Sequence, residues 1–168
     1  QDWCAYYPIA HEGGGNMDKK KVMDYFRTIL NYPSKKIFHN AMYDVCFIRA
    51  EGLKINGTII DTMIAGSLVN ENRFRYDLGS MGRDYLGKGK NEAVLTETAK
   101  EWGIDPKSEM YKLPAMYVGE YAEQDAKLTL ELWQEMKKQI LIEEVSSIFE
   151  LETELFPCLV DMRFLGVR

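Results

Sequence analysis

The chain has 168 residues, of which 46% are hydrophobic, 28% charged and 12% aromatic, and its net charge is −5. Such a composition buries a core of its own and excludes a disordered tail or a collagen-like or low-complexity chain. No apolar run reaches the ~18 residues that a membrane span needs; the nearest, around positions 59–69, is broken by Asp61.

The charge is uneven. Residues 1–60 carry 8 basic and 6 acidic side chains, the remainder 13 and 20, so electrostatics alone would not hold duplex nucleic acid. Cys4, Cys46 and Cys158 are odd in number and far apart, and neither His11 nor His39 stands at ligand spacing to them. This argues against a disulfide framework and a structural zinc, and makes a reducing cytoplasm the expected compartment. The chain opens on Gln1 and stops at Arg168 within an apolar pattern, so it is expected to be a piece of a longer polypeptide.

In chain order, residues 3–9 are aromatic and apolar enough for a short strand, closed by Pro8 and the turn His11-Glu12-Gly13-Gly14-Gly15. The glycine triplet lacks the spacing of a phosphate loop and reads as a turn. From Asp18 the pattern is helical, with Val22, Phe26, Ile29 and Leu30 on one stripe and Pro33 as the stop. Lys36–Phe38 reads as a buried strand and residues 44–51 as a helix burying Val45, Phe47 and Ile48 and ended by Gly52. Residues 58–60 form another strand, leading into a helix that carries Met63, Ile64 and Leu68. Positions 70–91 are irregular and basic, with Arg73, Arg75, Arg83, Lys88 and Lys90; Leu78, Met81 and Tyr85 mark a helix within them. A helix over 92–102 should bury Leu95, Ala99 and Trp102, and a long one over 118–138 should bury Trp133. A last helix from about 142 should turn Ile148, Leu151 and Leu155 inward and end or kink at Pro157. Strands alternating with helices predict an α/β domain, with helices flanking a mixed sheet.

Two segments could carry chemistry. His39-Asn40-Ala41-Met42-Tyr43-Asp44 follows a buried strand, where open α/β sheets place their sites; the N-cap of the next helix is a slightly favoured role for Asp44, and the two roles can coexist. Tyr121 and Asp125 lie at i and i+4 on one helix face, Asp125 bordering the apolar stripe. A carboxylate there needs a cation or a partner, and Lys127 or Lys137 would serve as an ordinary one.

Together, Asn-x-x-Tyr-Asp after a strand, Asp61-Thr62 at the end of another and Tyr-x-x-x-Asp on a later helix resemble the 3′–5′ proofreading exonuclease domain of family A DNA polymerases, of the ribonuclease H-like superfamily. The likeness extends through Tyr85-Leu86-Gly87, and the loop at 11–16 resembles phage-type members. It implies an exonuclease-like domain over residues 1–140 and a helical connection toward a covalently linked polymerase domain over 141–168. It implies a two-metal site for Mg²⁺ or Mn²⁺, with Asp44 and Asp125 as metal ligands, Tyr121 orienting the attacking water and Asn40 beside the departing nucleotide. The partner would be the single-stranded 3′ end of DNA, in the host cytoplasm if the protein is phage-encoded. Arg73 and Arg75 are expected to contact its phosphates, with Tyr85 offering a stacking face, unless the segment is only a solvated loop.

One departure stands out. The family's first motif, an Asp-x-Glu pair on the central strand, occurs nowhere in the chain: Asp2 is followed by Trp3 and Cys4, and Glu12 has no acidic residue two before it. The resemblance therefore implies that two strands and two carboxylates lie outside these residues or are lost, leaving the fragment weak or inactive. Rival readings are an RNA-trimming exonuclease of the same superfamily and a non-catalytic scaffold domain of a polymerase.

Overall fold

A computed structural model describes residues 3–90 and 92–166. Gln1, Asp2, Asn91, Val167 and Arg168, which bear on the expected truncation, the basic segment and the connecting end, lie outside the described residues. The chain divides into two compact units, Gln1–Phe26 with Gly89–Lys127 and Arg27–Lys88 with Leu128–Arg168.

The second unit contains the sheet. Strands β1 (Lys36–Phe38) and β2 (Ile59–Asp61) are parallel, with Ile37 opposite Ile60 and Phe38 opposite Asp61. Parallel neighbours need a crossover, and helix α2 (Ala41–Ala50) supplies it. Among the described residues the sheet has these two strands only, so the expected mixed sheet is here a parallel pair. Gly57, before β2, has φ +87°, and a Cβ on it would lie 2.4 Å from Ser34 O, so only glycine fits the turn.

Strand alternation feeds two cores. Ile37 and Ile60 meet α3 (Thr62–Val69), α4 (Leu78–Leu86) and the second half of α6 (Ala115–Ile142) through Ala65, Met81, Leu132 and Met136. Phe38 and Ile59 meet α2 and α7 (Ser146–Leu165) through Ala41, Val45, Phe156 and Val160. Met81, Leu132 and Met136 have no exposed surface, each such burial being worth ~1.5–3 kcal/mol. Helices α3 and α4 approach closely because Gly66 has no side chain: a Cβ there would lie 2.2 Å from Met81 Cε.

Helix α7 departs from expectation twice. Ile148, Leu151 and Leu155 are exposed, at 38, 57 and 43%, whereas Phe149, Phe156 and Val160 face inward. The aromatic rings decide it, Phe149 packing on Trp133 with ring centres 5.5 Å apart. The helix also runs on past Pro157 to Leu165, since proline there removes one ladder bond while both flanking turns stay packed.

The first unit carries α1 (Lys19–Leu30) up to Phe26, α5 (Ala93–Glu101), a 3₁₀ turn (Met110–Lys112) and the first half of α6. Asp18 caps α1 by accepting from Lys21 N at 2.9 Å. The core is Leu95, Ala99, Leu113 and Val118. Trp102 is 52% exposed rather than buried, because α5 stops at Glu101 and Gly103, at φ +65°, turns the chain away. Residues 3–9 are not a strand. Their polar groups are met by α6 instead, Tyr6 N donating to Glu123 Oε1 at 3.0 Å and Cys4 Sγ to Glu123 O at 3.1 Å. The loop at 11–15 is a docking turn: His11 Nδ1 bonds Leu113 O at 2.7 Å, and a Cβ on Gly13 would lie 2.4 Å from Pro114 N.

Candidate active site

In the second unit the junctions after β1 and β2 are tied by one carboxylate. Asp61 ends β2, is 7% exposed and caps α3 by accepting from Met63 N at 2.8 Å. The same side chain accepts from Asn40 N at 3.0 Å and Ala41 N at 2.8 Å, serving two of the first amides of α2. Three backbone donors thus occupy Asp61, which makes it a structural carboxylate. Beside it, Thr62 Oγ1 donates to Phe38 O at 3.1 Å and bonds His39 Nδ1 at 2.9 Å.

Asn40 takes the left-handed conformation, φ 62° and ψ 52°, and is the N-cap residue of α2, a conformation asparagine tolerates better than most. Helix α2 therefore begins three residues earlier than the sequence suggests, and Asp44 sits in its first turn rather than at its cap. Asn40, Tyr43, Asp44 and Phe47 are all exposed, at the i, i+3, i+4 and i+7 positions of one face. Surrounding protein atoms, and then the Asp61 charge, push the Asp44 carboxyl above its ordinary value. The rings of Tyr43 and Phe47 lie 4.9 Å apart, each residue 59% exposed. Phe47 thus faces outward, not inward with Val45 as its apolar character suggests, because it shares the exposed face of Tyr43 and Asp44 at i+4 and i+3.

In the first unit Tyr121 and Asp125 share one face of α6, and a lysine joins them. Lys90 Nζ lies 2.6 Å from Asp125 Oδ2 and 3.3 Å from Tyr121 Oη, with the Tyr121 ring centre 5.2 Å away. A partner of Asp125 is therefore Lys90, from outside its own helix. Burial, and then the Asp125 charge, hold the Tyr121 phenol above its ordinary pKa, so its hydroxyl is protonated at neutral pH. Burial pulls the Lys90 ammonium down, but hydrogen bonding and charge from Asp125 outweigh it and leave the pKa raised. Lys90 stands 35 positions from Asp125, a distance at which sequence carries no pairing signal.

The basic segment belongs to the second unit. Arg73 pairs with Asp84 at 2.7 Å, donates from Nε to Arg75 O at 3.3 Å and lies over the Tyr85 ring at 5.2 Å, with only 13% of its side chain exposed. Arg73 thus covers a face of Tyr85. The freely presented ring is Phe74, fully exposed between Arg73 and Arg75, beside a cavity of about 310 Å³ lined also by Ser80, Arg83 and Asp84. Lys88 turns to Glu131 at 2.7 Å.

Carboxylate oxygens are the donors that Mg²⁺ and Mn²⁺ prefer, and Asp125 already holds a positive group at 2.6 Å. Asp125 and Asp44 therefore suit a divalent ion by donor type. Among the described residues, however, no three His, Cys, Asp or Glu side chains gather as a ligand set.

Residues 5–141 match a family model described as 3′–5′ exonuclease. A "DNA-directed DNA polymerase" of Pseudomonas phage M6 is 34% identical over 166 residues, covering 97% of this chain and 25% of the relative. "DNA polymerase DpoZ" of Acinetobacter phage SH-Ab 15497 is 28% identical over 144 residues, covering 82% and 23%. "DNA polymerase I" of Chloroflexus aurantiacus is 23% identical over 180 residues, covering 99% and 18%. The chain thus spans about a quarter or less of the length of these relatives.

Proposed function

The chain belongs to the 3′–5′ exonuclease family, and on that premise we propose that it is the proofreading domain of a phage-type family A DNA polymerase. It would remove mismatched 3′-terminal nucleotides from single-stranded DNA as 5′-monophosphates. The observation that carries the reading is the Tyr121–Asp125 pair on one face of α6, within the matched residues and set around a positive group.

Asp125 and Asp44 are the carboxylates that would hold Mg²⁺ or Mn²⁺, whose chemistry there is to activate water and stabilise the departing 3′-oxygen. Tyr121, kept as a neutral phenol, can accept from and donate to a water and so orient it toward the phosphorus. Asn40, exposed beside Asp44, can contact the terminal nucleotide. Arg75, with Arg73 and Tyr85 as a stacked support, would grip the phosphates of the frayed strand. The complete domain would have the ribonuclease H-like fold. Residues 1–140 would form the exonuclease-like domain and 141–168 the helical connection to the polymerase domain. Because no Asp-x-Glu occurs in the 168 residues, activity of these residues alone would be weak. A phage polymerase would work in the host cytoplasm.

The test is digestion of 5′-labelled single strands by the full-length protein, with and without Mg²⁺ or Mn²⁺. Stepwise shortening of DNA from the 3′ end, lost in Asp125→Ala, is the expected result. Faster shortening of RNA would favour the RNA-trimming rival. No shortening of either strand would favour the scaffold.

A further inference from the structure

The cation on Asp125 is the chain's own. Lys90 and Asp125 expose only 19% and 25% of their side chains, whereas Lys88, two residues earlier, is 58% exposed against Glu131. A pair sheltered to that degree has given up much of its hydration, and each charge is kept by the other. Tyr121 closes the arrangement, its hydroxyl and ring both turned to the ammonium.

A divalent ion on the same carboxylate would sit ~2.1 Å from its oxygen. An ammonium left in place would then face a doubly charged neighbour at about 4 Å, a repulsion larger than the attraction that now holds it. The two cations compete for one position. We infer that Lys90 is the exchangeable counter-cation of Asp125. It neutralises the carboxylate and holds Tyr121 in place while the divalent ion is away, and it must leave when the ion binds. The inference rests on the metal-dependent reading above and adds to it a residue of this chain that sets the affinity for the ion. The consequence is that removing the positive charge paired with Asp125 should tighten metal binding.

The experiment is a Mn²⁺ titration of the full-length protein, followed by the paramagnetic resonance of the free ion. Binding that disappears in Asp125→Asn is taken as binding at this site. Lys90→Gln keeps a donor toward Asp125 and Tyr121 but removes the charge, and should bind Mn²⁺ about tenfold tighter, within the range by which neighbours of a ligand tune a metal. Lys90→Arg, with the charge restored, should return to wild-type affinity. Lys88→Gln, which removes an equal charge two positions away, should change affinity less than about twofold. Circular dichroism checks that each variant folds, and Lys90→Met replaces Lys90→Gln if the latter does not. Unchanged or weaker binding in the neutral variant, or equal tightening in Lys88→Gln, overturns the inference while leaving the metal-dependent reading intact. Absence of Asp125-dependent Mn²⁺ binding in every variant overturns both.

Discussion

Replacing Asp61 by alanine should cost far more stability than its single side chain suggests. The carboxylate accepts from the amides of Asn40, Ala41 and Met63, and the substitution leaves all three without it. Asn40 is exposed and its amide can turn to water, but Ala41 has no exposed surface and Met63 is half-buried. A buried amide left unmet costs ~1–3 kcal/mol and a lost N-cap ~1 kcal/mol, so the total is about 3 kcal/mol. In a chain of this size that lowers Tm by roughly 6–12 °C. Asp61→Asn should recover little, because one of its two acceptors becomes a donor facing donors. Urea and thermal unfolding of the three proteins measure this. A loss below about 1 kcal/mol in Asp61→Ala would refute the claim that this carboxylate is consumed by the backbone.

Other substitutions separate the remaining roles. Tyr121→Phe should slow excision ~10–100-fold with little change in KM, since it removes an orienting hydroxyl and not a binding surface; steady-state kinetics would show the split. Phe74→Ala should leave stability within ~0.5 kcal/mol but weaken single-strand binding by ~1–3 kcal/mol, the worth of one stacked base. Fluorescence anisotropy with a labelled oligonucleotide reads the binding. Arg73→Ala, by contrast, should lower both stability and affinity, because Arg73 also pairs with Asp84 and covers Tyr85. Asp44 has a raised pKa in the folded chain, so its stabilising contribution is full below the unfolded value and lost as pH rises through the folded one. Asp44→Asn should therefore melt above wild type at neutral pH, with the gap closing on acidification through the carboxylate range; a gap independent of pH would contradict this.

What the sequence made legible was local. The period of Val22 and Leu30, the stop at Pro33, Gly52 after α2 and the same-face relation of Tyr121 and Asp125 all follow from spacing along one element. What escaped it depends on partners distant in the chain. The triple role of Asp61 exists because parallel pairing puts it opposite Phe38, beside the start of α2. Lys90 reads as a loop charge until the fold sets it on Asp125. The inward face of α7 cannot be read from period because its apolar residues run nearly all round the helix; packing of Phe149 on Trp133 selects it. Residues 3–9 have the composition of a strand, but Glu123 offers their backbone a different partner.

On the function proposed above, Asp44 and Asp125 serve a single excision reaction. The most direct measurement is single-turnover removal of one 3′-terminal nucleotide by full-length wild type, Asp44→Ala, Asp125→Ala and the double variant. Groups that act as a unit are strongly non-additive. Each single variant should slow excision by at least ~100-fold, and the double variant should be no more than a few-fold slower than the worse single one. Wild-type excision in either single variant, or losses that multiply in the double, would contradict the claim.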